Sequence, residues 1–74
     1  MMNVNVNMLK GKIIEKGMNV TELARKIGID RATLYRKMEN NGDTMLVRDA
    51  NNIVSALNLT SDEAVAIFFS QFVA

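Results

Sequence analysis

The residues best equipped for chemistry lie close together between positions 31 and 37: Arg31, Thr33, Tyr35, Arg36 and Lys37. That chemistry is hydrogen bonding and charge pairing, not bond making. A guanidinium is a planar fork that matches a phosphate or the edge of a guanine. Thr33 donates or accepts, and Tyr35 offers a ring and a hydroxyl. Bond-making chemistry has little to work with. The chain has no Cys and no His, which removes the thiolate nucleophile, the commonest general base and the commonest metal ligand. Ser55, Ser61 and Ser70 have no base at usable spacing, and helix capping accounts for Asp62 and Glu63. There is no glycine-rich phosphate cradle and no metal-ligand spacing. The chain reads as a binding protein rather than an enzyme, with no metal, cofactor or small-molecule ligand expected.

Residues 19–38 supply the scaffold for these side chains, as two short helices joined by a tight turn. Asn19 can cap the first, with Glu22 three residues on to reach back, and Met18 and Leu23 can close over the cap. Leu23, Ala24 and Ile27 form its apolar face, and Gly28 should end it, because glycine enters the left-handed region at almost no steric cost. Asp30 then caps a second helix flanked by Ile29 and Leu34, whose inner face is Leu34 and Met38. Ala24 is small and the link is short, so a steep crossing is expected. Arg31, Ala32, Thr33, Tyr35, Arg36 and Lys37 are not needed for the second helix's core stripe. An ordinary solvated basic face would account for them as well.

This stretch resembles the helix-turn-helix of the phage repressor and Cro-like regulators, on Asn19, Glu22, Leu23, Ala24, Ile27, Gly28, Ile29, Asp30 and Leu34. The resemblance implies an all-α, compact five-helix domain of the lambda-repressor-like type whose second motif helix lies in the major groove of double-stranded DNA. It implies that Arg31, Ala32, Thr33, Tyr35 and Arg36 face bases, and that Asn19 and Val20 sit by phosphates. The loop after the motif passes the DNA backbone in that family, which makes Asn40, Asn41 and Thr44 further phosphate candidates, and Lys37, in the last turn of the second motif helix, is another. Lys37 departs from the pattern, standing where the family often has an apolar residue, with Met38 supplying that packing.

The whole chain fits this frame. Seventy-four residues make one small domain with a single modest core. No apolar run approaches the roughly 18 residues of a membrane span, and a reduced, cytoplasmic setting is expected. Net charge is only +1, but residues 1–37 hold eight of the nine Lys/Arg against three acids, a local +5. Residues 38–74 hold one Arg against five acids, a local −4. The positive half contains the motif.

Residues 1–6 alternate apolar and polar and are expected to form a flexible arm, with residues 7–74 as the domain. A first helix over residues 7–16 should bury Leu9 and Ile13 and end at Gly17. Residues 39–46 are turn chemistry. A fourth helix, residues 47–57, should bury Ala50, Ile53, Val54 and Leu57, its start lacking a cap at Leu46 unless Thr44 serves. A fifth opens on the capping box of Thr60 and Glu63 and carries Val65, Phe68, Phe69 and Phe72 in one stripe, with Ile67 pointing the other way. Ile67, Phe69, Phe72 and Val73 are accordingly candidates for a homodimer interface. Two functions compete: a sequence-specific DNA-binding regulator, and a helical protein-interaction module that retains the fold.

Overall fold

The computed structural model describes residues 2–69. Its five helices are α1 (Val6–Glu15), α2 (Val20–Ile27), α3 (Arg31–Met38), α4 (Val47–Leu57) and α5 (Ser61–Ala64), the last running on into a single π-turn, Val65–Phe69. There is no strand among the described residues. The radius of gyration, 11.1 Å, matches the roughly 11 Å of a close-packed chain of this length.

The helices begin and end by a repeated local rule. Asn5, Asn19, Asp30 and Thr60 each accept the backbone N–H three residues on, and Glu22 and Glu63 reach back to complete the boxes at Asn19 and Thr60. Three helices stop in the same way. Gly17, Gly28 and Asn58 take left-handed φ values of 75°, 80° and 52°. The N–H of the following residue then returns to a carbonyl inside the helix: Met18 to Ile13, Ile29 to Ala24, Leu59 to Val54. These are Schellman ends, and each turns an apolar residue back towards the interior.

The core is built from the expected stripes. Leu9 and Ile13 of α1, Leu23 and Ala24 of α2, Leu34 and Met38 of α3, and Ala50, Ile53 and Leu57 of α4 are all buried. Val54 is half-buried, and Ile14, on the edge of α1, is 73% exposed. Two expectations about the chain's ends are corrected. Residues 2–5 are not a loose arm: Met2 and Val4 are buried, Val4 N–H donates to the Asn41 carbonyl (2.6 Å) and Asn5 N–H to the Ile67 carbonyl (2.8 Å). Ordering these four residues costs roughly 1–2 kcal/mol each. Burying Met2 and Val4 returns about 1.5–3 kcal/mol apiece, and the two hydrogen bonds add about 1 kcal/mol each, so the segment docks at near balance.

The second correction concerns Ile67. It is fully buried beside Phe68 instead of facing away. A π-turn advances fewer degrees per residue than an α-helix, so adjacent residues 67 and 68 both reach the interior and the stripe read at α-helical spacing loses its phase. Phe69 is half-buried and Val65 is 39% exposed. Phe72 and Val73 lie outside the described residues.

The turn after α3 is a sharp reversal in which Asn40, Asn41 and Gly42 all have positive φ. Asn tolerates this region better than most residues. Gly42 is constrained twice, because a Cβ there would also overlap the Val4 side chain. Gly42→Ala should therefore destabilise by about 1–3 kcal/mol beyond the backbone penalty. Gly28→Ala, whose Cβ would meet nothing within 4 Å, should cost only the left-handed strain, about 1–2 kcal/mol. Urea unfolding of both variants checks the difference.

An ion pair joins α1 to α5. Lys12 Nζ lies 2.6 Å from Glu63 Oε2 and 3.0 Å from Glu15 Oε2. The Lys12 ammonium and the Thr60 N–H together hold the Glu63 carboxyl down at about 2. A lowered carboxylate contributes stability above its unfolded pKa and loses it as pH falls through the folded one. The melting temperature should therefore decline between pH 4.5 and 2, and Glu63→Gln should flatten that decline in calorimetric scans.

Candidate nucleic-acid interface

The α2–α3 corner positions the charged face. The Schellman end at Gly28 and the cap at Asp30 leave only residues 28–30 between the helices. Asp30 Oδ1 accepts the Thr33 N–H at 2.7 Å, and that bond holds the Asp30 carboxyl below its ordinary range. With Leu34 and Met38 buried, the opposite arc of α3 is fixed outward: Arg31, Ala32, Tyr35 and Arg36 are exposed, at positions that share a helix face. Thr33 is half-buried, and its Oγ1 accepts from Arg36 Nη2 at 3.3 Å. This contact lays the Arg36 guanidinium back along its own helix.

Two grooves flank α3. One, of about 320 Å³, brings Tyr35 beside Asn19 and Val20 and is bordered by Lys10 and Ile14 of α1. The other, about 340 Å³, brings Thr33 and Arg36 beside Asn40 and Thr44. The candidates from the start of α2 and from the loop after α3 thus border the same helix from its two sides. Asn19 caps α2 through Oδ1, an acceptor; Nδ2, the donor a phosphate oxygen needs, is not part of the cap.

Asn41 does not line the second groove. Its left-handed backbone and the bond from Val4 N–H to its carbonyl give it a folding role in the turn. Lys37 does line that groove, but its ammonium is turned to α4, where Nζ lies 2.9 Å from Asp49 Oδ2. The same carboxylate oxygen accepts the Leu46 N–H at 2.9 Å. Asp49 therefore caps α4 by reaching back, the role that sequence reasoning left to Thr44. Burial pushes the Asp49 carboxyl up, but the Leu46 N–H and the Lys37 ammonium outweigh it and hold the group below its usual range.

Lys10 is a residue beside α3 that the sequence alone does not single out. It borders both the Tyr35–Asn19 groove and a smaller hollow beside Tyr35 and Glu39. Its spacing from Leu9 and Ile13 marks it as flanking the α1 core face, but only the fold puts that flank next to α3. Lys12 does not line the Tyr35–Asn19 groove and is committed to Glu15 and Glu63. Among the described residues no three His, Cys, Asp or Glu side chains converge as a metal site, and no helix is long and apolar enough to cross a membrane.

The geometry is that of a short, exposed, basic helix joined to α2 by a three-residue link, with hydrogen-bonding groups along both flanks. Residues 8–67 match the Cro/C1-type HTH DNA-binding domain. No curated protein and no solved structure matches the chain. The family match covers most of the chain and includes every element of the corner and both its grooves, and on that ground the chain belongs to the Cro/C1-type helix-turn-helix DNA-binding domains.

Proposed function

We propose that this protein is a sequence-specific transcriptional regulator that docks α3 in the major groove of an operator, in the manner of phage repressor and Cro-like proteins. The observation that carries the reading is the outward arc of α3, where Arg31, Ala32, Tyr35 and Arg36 stand exposed and Tyr35 lies beside the start of α2. Base-edge hydrogen bonds come from Arg31, Arg36 and Tyr35, with Thr33 acting through Arg36 and Ala32 as an apolar contact for a thymine methyl. Asn19, the N-terminal N–H groups of α2 at Val20, and Asn40 and Thr44 across α3 serve the phosphate backbone.

A two-fold dimer on half-sites about one helical turn apart is the arrangement such a small reader requires for an extended site. Burial of Ile67 leaves Val65 and Phe69 as the described part of α5 available to a second copy.

Selection from a random duplex library at low and then physiological salt tests the reading. An enriched palindrome with half-sites about one turn apart supports a dimeric operator-binding regulator. Salt-sensitive binding without enrichment reduces it to a nonspecific DNA binder. No binding at either salt favours the protein-interaction alternative, with α5 as the surface to examine.

On the enriched site, Arg36→Ala should weaken binding by about 1–3 kcal/mol and relax preference at one base position. Equal loss on specific and random DNA, measured by fluorescence anisotropy, would reassign Arg36 to a phosphate.

A further inference from the structure

Asp49 is the only charged side chain that is buried among the described residues, at 8% exposure. It faces two groups from different elements: the backbone N–H of Leu46, at the start of α4, and the ammonium of Lys37, in the last turn of α3. α3 packs principally on α2, and so does α4. The Lys37–Asp49 pair is thus a direct link between two helices otherwise held through a third. It is also the sole ion pair on the recognition helix among the described residues.

The charge balance decides what Lys37 can do. Drawing its ammonium to a DNA phosphate would strip the buried carboxylate of its cation and leave it near a second anion, an arrangement that low-dielectric surroundings penalise heavily. Keeping the pair satisfies both groups and neutralises the cation. We infer that Lys37 is a positioning residue rather than a phosphate contact: through Asp49 it sets the pitch of α3 against α4, and it adds nothing to the charge that phosphates meet. This rests on the proposed DNA-binding function, and it identifies Asp49, a buried residue of α4 outside the exposed arc, as a determinant of how that arc is presented.

The link itself is tested without DNA, by urea unfolding of Lys37→Met, Asp49→Asn and the double variant. Asp49→Asn should cost markedly less in the Lys37→Met background than in the wild type; additive costs overturn the link. Its role in binding is tested on the site recovered by selection, with the salt dependence measured for each single variant and for Lys37→Arg. Lys37→Met should weaken specific binding roughly ten-fold, lower the ratio of specific to random affinity, and leave the salt slope at its wild-type value. Lys37→Arg should restore both affinity and ratio. Asp49→Asn frees the ammonium and should steepen the slope by about one. A Lys37→Met slope shallower by about one, with an unchanged ratio, identifies a phosphate contact and overturns the inference. Absence of wild-type DNA binding would sink the regulator reading, while the unfolding cycle would still decide whether the two side chains are coupled.

Discussion

The structure depends on the left-handed turn at Gly28. Its φ of 80° lets Gly28 and Ile29 return their N–H groups to Arg25 and Ala24, so α2 stops and Ile29 swings inward. Asp30 can then cap α3 at once. Because the link is so short, the angle between the helices is set by local hydrogen bonds and by the small Ala24, not by a flexible loop. Leu23, Ala24, Leu34 and Met38 are buried against this corner, and their burial turns Arg31, Ala32, Tyr35 and Arg36 outward. The functional face is therefore a consequence of the core.

The rest of the domain braces this corner. α4 packs on α2 and grips α3 through Lys37 and Asp49. α1 lies against α2 and brings Lys10 to the Tyr35 side, while Lys12 ties α1 to Glu63 of α5. Residues 2–5 fasten the turn after α3 to the π-turn of α5, through Asn41 and Ile67. That turn borders the second groove, so the ordering of the N-terminal segment bears on where Asn40 and Thr44 sit relative to α3.

What could be read from the sequence was what is encoded within about four residues. The caps at Asn19, Asp30 and Thr60, the stop at Gly28, and the stripes of α1 to α4 are all of this kind, and each is found. The misses share a different origin. Val4 and Asn5 bond to carbonyls far along the chain, so nothing in their neighbourhood announces order. Asp49 lies twelve positions from Lys37, and only the α3–α4 approach makes them partners. Ile67 turns inward against its α-helical phase because one wide turn breaks the period on which a stripe is counted. The site was legible to the same extent: the exposed arc of α3 follows from its stripe, whereas the grooves beside it depend on where α1 and the loop after α3 arrive.

Ion pairing also changes how the charge of the chain bears on DNA. The sequence places eight basic residues in its first half, which invites a reading of the whole half as a phosphate-binding surface. In the fold Lys12 is held by two glutamates and Lys37 by Asp49, so two of the eight are neutralised within the protein. Lys10, Arg31 and Arg36 stand beside or on the exposed arc of α3, with Asp30 and Glu39 close to its two ends. The other six of the eight, Lys16, Arg25 and Lys26 among them, are exposed, so internal pairing trims the positive half without removing it. Unpaired cations bind any duplex through counterion release, so each lysine already held by an acid lowers that sequence-independent contribution. A net charge of only +1 and an exposed basic arc on α3 are thus compatible, because part of the positive half is answered by acids within the fold.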